Sequence, residues 1–407
     1  MIFSVAWRNI WRSKLRSLVV ITAISLGLYG ILFILALSNG MVEQKIDASI
    51  SNEISHIQLH QPKFIQDNLP EHSISGSRTK IDEIQQIEGV KAACDRLKMT
   101  AMASTAAKGA GVILNGIDPE QEKKVTRIHE CLIEGSYFEK KSKTPSILIS
   151  RKLATSLKAK SGSKIVLTLQ NIDNEIVYGL CRVIGIYKTA NSNFDEPNVF
   201  VTKKDLAELI NFDQHKATEI AVLLDHADLT NEIKSVIKTE YPDLSVMSWK
   251  DMQPMLLSMR ALMEQYSYIM LVVILIAMAF GIVNTMLMAI LERTREIGML
   301  MAVGMNRQRV FIMIMLETIF LSVTGAFIGM VLAYTTISLT SQHGLNFASV
   351  AEGFEAYGYS ALVYPILYTR IYVGLTILVF ITAILSSIYP ARKALKFKPA
   401  EAIRADT

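Results

Sequence analysis

Long runs of apolar residues, separated by stretches of mixed polarity, are the main pattern along the chain. No charged residue occurs at positions 17–39, 265–291 or 371–391, and a further apolar run begins at Val310. A helix needs about 20 apolar residues to cross the hydrocarbon core of a bilayer, whereas helices of soluble proteins average about 11–12 residues. The pattern therefore predicts membrane-spanning helices at 17–39, 265–291, 310–338 and 370–391.

The first apolar run lies where a cleaved signal peptide would lie, and residues 36–38, Ala-Leu-Ser, resemble a small-residue cleavage site. However, the run exceeds 20 residues and follows a 16-residue charged stretch. The apolar region of a signal peptide is usually about 7–15 residues long. We therefore expect a retained signal anchor.

The segment at 40–264 has the pattern of a folded module of helices and strands. Residues 56–60 alternate in polarity, as a half-buried strand does, and Gly, Pro, Asn and Asp punctuate the elements that follow. Further strands are predicted at 146–149, 164–170, 176–187, 198–201 and 219–224. Helices are predicted at 80–88, 151–157, 203–210 and 230–239. We expect a mixed α+β domain in two lobes.

Composition and charge locate these elements relative to a membrane. The chain is 51% hydrophobic and only 19% charged, which argues against an ordinary soluble enzyme and against disorder. Lys and Arg cluster before position 17, at 292–309 and after position 391. Because such clusters stay in the cytoplasm, both termini and 292–309 are expected there, with 40–264 and the short loop at 339–369 outside. The Lys and Arg clusters expected on the cytoplasmic side thus account for the formal charge of +5, and no nucleic-acid partner is expected.

The predicted fold class follows from the spans and the charge. It is an α-helical membrane protein with four transmembrane helices and a large extracytoplasmic α+β domain inserted between helices 1 and 2.

No catalytic or metal-binding motif emerges. The chain lacks the phosphate-binding sequence G-x-x-x-x-G-K-[ST], so it is not expected to bind ATP itself. Residues 129–133 begin like the zinc motif H-E-x-x-H, but Ile133 replaces the second histidine. Residues 358–362 lack the last glycine of G-x-S-x-G. We therefore expect a non-enzymatic chain with no metal or cofactor of its own.

The remaining reactive groups have structural explanations. Cys94, Cys131 and Cys181 all lie in the outward domain, allow at most one internal disulfide, and are expected to be buried thiols. Glu317 is the ionisable group inside an apolar run, where such groups are often functional. Arg309 lies about two helical turns away, so we favour a carboxylate near the interface that pairs with a base over a substrate-binding group.

Residues 1–16 have the pattern of a helix lying in the membrane interface. Trp7 and Trp11 are four residues apart, and so are Arg8 and Arg12. Aromatic residues on one face and arginines on another are typical of interfacial helices that contact lipids. The alternative is a plain topogenic signal, and the two interpretations are compatible.

The 292–309 loop predicts a short helix at 295–303 that ends at Gly304, a residue typical of helix termini. Ile297, Leu300 and Met301 would share one apolar face, suited to docking into a groove of a partner. The alternative is a turn that only joins two spans. In the basic tail at 392–407, Pro390 is expected to mark the end of the fourth span, and Pro399 to begin a new helical turn.

Several motifs resemble one family. Residues 293–304, R-T-R-E-I-G-x-L-x-A-x-G, resemble the signature of the FtsX-like permease domain, as do P-A-R-K-A at 390–394 and P-A-E-A-I-R at 399–404. The opening W-R-N-I-W-R-S-K-L-R-S, with H-I-Q-L-H at 56–60, is similar to the LolE-like branch. Residues 116–120, 134–138 and 149–154 are similar to recurrent phrases of the MacB-type periplasmic core domain. The resemblance covers essentially the whole chain.

The resemblance implies a permease subunit of a type VII ABC transporter in the cell inner membrane. Two permease copies, identical or related, would pair with two separate ATPase subunits that bind ATP and Mg. The work would be done on a substrate already outside the cytoplasm. The residues implied in coupling to the ATPase are Arg293, Arg295, Glu296, Ile297, Leu300, Ala302 and Gly304.

The LolE-like resemblance further implies extraction and release of lipoproteins to a periplasmic carrier. Ile24, Leu28, Met270 and Met278 are the candidate residues lining a substrate cavity. Two alternatives remain open. One is a MacB-like exporter of peptides, antibiotics or toxins that binds an adaptor. The other is an FtsX-like signal transducer that controls a cell-wall hydrolase.

Overall fold

A computed structural model describes residues 2–12, 14–138 and 144–395. The predicted turn at Pro399 and the second half of the tail motif lie outside the described residues. The helices are α1 Ile2–Arg12, α2 Lys14–Ser49, α3 Phe64–Asp67, α4 Ser77–Ile84, α5 Pro119–Val125, α6 Arg151–Leu157, α7 Ser192–Asp195, α8 Lys203–Leu209, α9 Thr230–Glu240, α10 Trp249–Met252, α11 Pro254–Glu292, α12 Thr294–Ala302, α13 Arg307–His343, α14 Ala351–Ala356 and α15 Thr369–Ala394. A π-helical segment, Ile50–Ile54, follows α2, and short 3₁₀ helices lie at Ile128–Cys131, Ala227–Leu229 and Ala348–Val350.

The strands are β1 Ile57–His60, β2 Val90–Ser104, β3 Gly109–Ile117, β4 Leu132–Gly135, β5 Ser146–Ser150, β6 Lys164–Gln170, β7 Ile176–Tyr187, β8 Asn198–Thr202, β9 Glu219–Leu224, β10 Ser245–Ser248, β11 Leu345–Asn346 and β12 Leu362–Val363. The chain divides into two compact units. The helical unit comprises Met1–Val42, Arg260–Asn346 and Leu362–Thr407, and the sheet unit comprises Glu43–Met259 and Phe347–Ala361.

Four helices are long and apolar enough to cross a membrane, which confirms the predicted spans. The first two are longer than predicted, because α2 continues to Ser49 and α11 already begins at Pro254. A helix of 39 residues such as α11 is about 58 Å long, well beyond the thickness of a bilayer core. Thus part of the predicted 40–264 domain consists of continuations of the two spans.

The fourth span differs from its prediction at its end. Pro390 lies inside α15, which continues to Ala394, so proline does not terminate this helix. Proline removes one backbone hydrogen bond, but a helix in a packed bundle tolerates that loss. Pro390, Ala391 and Ala394 are all buried, so packing holds the last turn in place.

Small residues let α13 approach α2 closely in the helical unit. A side chain at Gly329 would place its Cβ 2.7 Å from the carbonyl oxygen of Ser25. One turn earlier, the hydroxyl of Ser25 donates a hydrogen bond of 2.8 Å to the carbonyl oxygen of Gly325. This Gly-x-x-x-Gly spacing is typical of closely packed membrane helices. Large apolar side chains such as Phe280 and Leu385 are exposed on the bundle surface, as expected where a helix faces lipid.

The sheet unit is built around a closed barrel. Strands β2, β3, β8, β5, β7 and β6 pair in that order, and β6 pairs back with β2. Beyond the barrel, the first half of β2 pairs with β9, followed by β1 and β10, while β4 adds to β7. Leu114 and Ile149 belong to the barrel core, whereas Ile57 and Ile233 belong to a second core under α4 and α9. The two expected lobes therefore share one long strand, β2.

Most strands and helices predicted in this segment are confirmed. The helix predicted at 80–88 instead spans Ser77–Ile84, and Gly89 lies in the turn before β2. The longest hairpin, β2 with β3, was not predicted. The expected loop at 339–369 is structured: α13 continues to His343, β11 pairs with β12, and the intervening residues belong to the sheet unit.

Candidate coupling surface and apolar cavity

The helix α12 occupies the predicted coupling loop. It follows Arg293 and ends where Gly304 adopts a φ of +102°, a conformation that glycine reaches without steric cost. The N–H of Met305 donates to the carbonyl oxygen of Leu300 at 3.0 Å, which closes the last turn. The predicted boundaries of 295–303 are therefore confirmed to within one residue.

The apolar face that α12 presents to solvent differs from the predicted one. Ile297 is only 3% exposed and packs into the core of the helical unit, with Met301 beside it. These two residues are buried because this side of α12 covers the ends of the spans. The exposed apolar residues are Met299, Leu300 and Val303, the last 90% exposed. The spacing of apolar residues predicted an apolar face on this helix, but it could not show which side of the helix packs against the spans.

Arg295 and Ala302 are exposed on α12 and therefore available to a partner. The sequence reasoning missed Met299 and Val303. Their spacing of four residues was the signal that could have revealed them, since it places them on one side of the helix, away from Ile297.

The two other charged residues assigned to coupling are bonded within the chain. Nε of Arg293 donates to Glu296 at 3.0 Å, and Nη1 lies 3.4 Å from each carboxylate oxygen of Glu317. Glu296 also forms an ion pair with Arg12 of α1. The expected pairing of Glu317 with a base is present, but the base is Arg293 and not Arg309. Asn9 adds a hydrogen bond of 2.5 Å to the same carboxylate.

The N-terminal helix α1 packs one face against α13. Ala6 and Ile10 are buried, and the rings of Trp7 and Phe320 meet edge to face with centroids 5.7 Å apart. Arg8 is exposed, and about half the surface of each of Trp7 and Trp11 is exposed. The helix thus has the amphipathic faces predicted from the sequence, while its position in a membrane interface stays a prediction.

An apolar cavity of about 330 Å³ lies between α2 and α11. Its lining residues are Val19, Val20, Ala23, Ile24, Gly27, Leu28, Ile274, Ala277, Met278, Gly281, Ile282 and Thr285. Three of the four predicted cavity residues, Ile24, Leu28 and Met278, are among them. Met270 is not, because it packs elsewhere in the helical core. Among the described lining residues only Thr285 carries a polar side chain, and its hydroxyl bonds to the carbonyl oxygen of Gly281 at 2.7 Å.

The sheet unit contains a second network of charges. Arg96 donates to Glu122 and to Glu219, each at 2.7 Å, and Lys98 also lies 2.7 Å from Glu219. Burial by itself would raise the pKa of Glu219, but Lys98 and Arg96 outweigh it and lower the pKa to about 2. Arg96 also donates to the carbonyl oxygen of Glu53 in the π-helical segment at 3.0 Å. The network therefore joins this segment to the sheet.

The three cysteines are free thiols in the sheet unit. Burial raises the pKa of Cys131 to about 11 and that of Cys181 to about 12, while burial and the neighbouring Glu122 raise the pKa of Cys94 well above its usual value. These protonated thiols are poor nucleophiles and poor metal ligands. No group of three or more metal-ligating side chains occurs in the part of the chain that the structure describes.

Comparisons with known proteins agree with this architecture. Residues 17–240, more than half of the chain, match the MacB-like periplasmic core domain, and residues 268–399 match the FtsX-like permease C-terminal. The chain therefore belongs to the family of membrane permeases that combine these two domains. More particularly, it is an ABC transporter permease of the MacB/LolC type, with an ATPase as its implied partner and the sheet unit as its periplasmic domain.

Individual relatives differ in how much they share. The lipoprotein-releasing system transmembrane protein LolC of Neisseria meningitidis is 23% identical over 95% of this chain and 94% of its own length. An uncharacterized ABC transporter permease of Methanocaldococcus jannaschii is 27% identical over 55% of each chain. The macrolide export ATP-binding/permease protein MacB of Brucella abortus is 25% identical over 55% of this chain but only 33% of its own. The chain thus spans about half of one relative and a third of another, but nearly all of LolC.

Proposed function

We propose that this chain is the permease subunit of a transporter that extracts lipoproteins from the inner membrane and releases them to a periplasmic carrier. The observation that carries the proposal is the apolar cavity between α2 and α11, lined by aliphatic residues and glycine within two membrane-spanning helices. An acyl chain is the part of a lipoprotein that such a lining would accommodate, because burial of apolar surface is favourable and the lining offers few polar partners.

The position of the cavity supports entry from lipid. Val19, at its edge, is more than half exposed on the surface of the bundle, where a membrane helix faces hydrocarbon. An acyl chain could therefore move from the bilayer into the cavity without crossing a polar barrier. The nearly end-to-end match with LolC, against a match with one third of MacB, favours the same substrate class.

The energy would come from a partner ATPase, which would bind ATP and Mg, whereas this chain has no phosphate-binding sequence. Two ATPase copies would each seat on the exposed side of one α12, formed by Met299, Leu300 and Val303 with Arg295 beside them. Apolar anchors with an arginine at the rim are typical of such docking sites. A second permease copy, identical or related, would complete the complex, with both termini in the cytoplasm of a cell that has an inner membrane.

Two other functions fit the same family. A MacB-like exporter would use the periplasmic domain to bind an adaptor, and an FtsX-like transducer would use it to activate a cell-wall hydrolase. Neither function needs a cavity that accepts an acyl chain. A requirement for this cavity in transport would therefore support lipoprotein release over the other two functions.

The test is a reconstitution of the permease with its ATPase in proteoliposomes that contain a triacylated lipoprotein. We expect ATP-dependent transfer of the lipoprotein to a soluble carrier and faster ATP hydrolysis. The matched control is the same lipoprotein with its lipidated cysteine replaced by serine, which should produce neither effect. Stimulation by the unacylated protein alone would support export instead, and hydrolysis without transfer of either form would support signalling.

A further inference from the structure

Glu317 stands apart in the helical unit because it is a buried carboxylate within a membrane-spanning helix. A charged group at this place is costly, so it is retained only where partners compensate it or where function requires it. The apolar cavity does not involve Glu317, and the exposed face of α12 does not include it. Its contacts nevertheless reach the N-terminal helix α1 and the start of α12.

One carboxylate joins three helices. From α13, Glu317 accepts a hydrogen bond from Asn9 of α1 at 2.5 Å. The same carboxylate faces Arg293, at the start of α12, with both oxygens 3.4 Å from Nη1. Glu317 is therefore a common attachment point for α1 and α12 on the third span.

The attachment continues as a chain of alternating charges. Arg293 uses its Nε for Glu296 while its Nη1 faces Glu317, so a single guanidinium contacts two carboxylates. Glu296 in turn pairs with Arg12 of α1, so this series of ion pairs leads back to the N-terminal helix. Arginine suits this position because its planar group donates in several fixed directions, whereas a lysine ammonium is a single point charge.

Close packing alone does not hold these groups in place. A small cavity of about 30 Å³ adjoins the carboxylate and is lined in part by Asn9, Ser17, Thr285 and Arg293. Glu317 thus has polar neighbours and free space on one side. Its position depends on its hydrogen bonds and its ion pair, which a single change of charge can remove.

We propose that Glu317 is a positioning residue that latches α1 and α12 to α13, so that the three helices move as one body when the ATPase displaces α12. The inference rests on the proposed function only in assuming that an ATPase acts on α12. Without the latch, the motion of α12 would be transmitted less completely to α1 and α13, because the remaining contacts of α12 with the bundle, through Ile297 and Met301, are apolar and non-directional. ATP hydrolysis would then continue with little transport.

The test compares wild type with Glu317→Gln in the reconstituted complex. Glutamine has the same shape and still accepts from Asn9, but it cannot neutralise Arg293. We expect unstimulated ATP hydrolysis within about twofold of wild type, and at least about a fivefold rise in ATP consumed per lipoprotein released, the lower end of typical coupling free energies. Hydrogen exchange of residues 294–303 should also become faster, since the start of α12 is released.

Two further variants separate a latch from a general packing role. Glu264→Gln is the matched control, because Glu264 pairs with Arg370 at 3.7 Å on the exposed surface of the same unit. It should behave as wild type. The double variant Arg293→Gln/Glu317→Gln should be no worse than either single variant, since removing both members of one pair is not additive.

Asn9→Ala keeps the test decisive if Glu317→Gln fails to assemble, because it cuts the tie to α1 without changing any charge. We expect a smaller rise in ATP consumed per lipoprotein. An unchanged ratio and unchanged exchange in both Asn9→Ala and Glu317→Gln would overturn the latch. If wild type releases no lipoprotein, the proposed function fails, and the exchange of residues 294–303 still decides whether the latch exists.

Discussion

The sheet unit and the helical unit each contain an arginine that joins two carboxylates, yet the two arginines are placed very differently. Arg96 is 3% exposed and both of its carboxylate partners are 1% exposed. Arg293 is 21% exposed; of its two partners, Glu296 is 34% exposed and Glu317 only 10%. Water therefore reaches the Arg293–Glu296 pair but is excluded from the Arg96 network.

This difference separates a structural network from one suited to a moving part. Breaking a fully buried pair leaves a charge without water or partner, which costs several kcal/mol, so such a network stays closed while the fold lasts. A half-exposed pair contributes about 0–1 kcal/mol, so it can open and close within a working cycle. Arg96 thus stabilises the sheet unit, whereas Arg293 lies at the start of α12, the helix that we propose meets the ATPase.

The largest effect is expected from Arg96→Met. Loss of the guanidinium leaves Glu122 and Glu219 buried together, and we expect β2 and β9 to lose about 3–5 kcal/mol of stability. Hydrogen exchange of the paired strands measures this loss directly in the full chain. Arg293→Met leaves Glu296 in contact with water but Glu317 buried beside Asn9, so we expect a smaller loss in the helical unit, about 1–3 kcal/mol. Equal losses in the two variants would refute the distinction.

The second effect is a pH dependence confined to the sheet unit. The pKa of Glu219 is lowered from 4.5 to about 2, so its contribution is fully present above pH 4.5 and is lost as the pH falls toward 2. The full shift corresponds to on the order of 3 kcal/mol. Burial lowers the pKa of His56 and of His60, which lies 3.8 Å from Glu219, so the sheet unit also loses stability as the pH falls from 7 toward 5.

The pH dependence can be followed by urea unfolding at pH 7, 5, 4 and 3. The buried Trp249 reports on the sheet unit when Trp7 and Trp11 are replaced by phenylalanine. We expect the midpoint to fall between pH 7 and 5, because the unfolded chain protonates His56 and His60 more readily, and to fall again below pH 4.5. Glu219→Gln should be less stable at pH 7 but should lose less on acidification. A midpoint that does not fall below pH 4.5 would contradict the assignment to Glu219.

A third effect concerns packing in the helical unit. Gly329→Leu would force a side chain against the backbone of Ser25, and overpacking of this kind costs about 1–3 kcal/mol. Gly374→Leu is the matched control, because open space surrounds that glycine on α15. We expect a lower apparent melting temperature in detergent for Gly329→Leu alone. If both variants have the same apparent melting temperature, the close approach of α2 and α13 is not important for stability.

The smallest effect is expected on the surface of the sheet unit. Glu120 pairs with Lys123 at 3.0 Å one helical turn away, and the Glu120 side chain is 79% exposed. Glu120→Gln should change stability by less than about 0.5 kcal/mol. A loss approaching that of Arg96→Met would show that burial does not govern the strength of these pairs.

The sequence predicted those elements whose local pattern agrees with the fold. The strands β6, β7 and β9 were predicted with their observed ends, because Val, Ile and Leu alternate or cluster there between turn residues. The hairpin of β2 and β3 was missed, since alanine, glycine and lysine occupy many of its positions. These residues have low strand propensity, and only pairing across the barrel makes them strands.

The candidate site shows the same limit. Gly304 and the polar start of the 292–309 loop predicted α12, because helix ends are determined locally. The partners of Glu317 could not be predicted from spacing, since Asn9 lies 308 residues away and Arg293 lies on the preceding helix. Likewise, the covered side of α12 depends on the spans beneath it, which no pattern within the loop reveals.

Lipoprotein release by a variant with a filled cavity is the direct test of whether the cavity between α2 and α11 holds an acyl chain. Gly27 lines the cavity and Gly30 does not, yet a side chain at either position meets open space, so both substitutions to leucine should leave folding intact. Transfer of the triacylated lipoprotein to the carrier is the measured quantity. We predict that Gly27→Leu lowers it at least about tenfold, or about 1.4 kcal/mol, while Gly30→Leu transfers as wild type. Equal transfer by wild type and both variants would contradict the account, because the cavity would then play no part in holding the acyl chain.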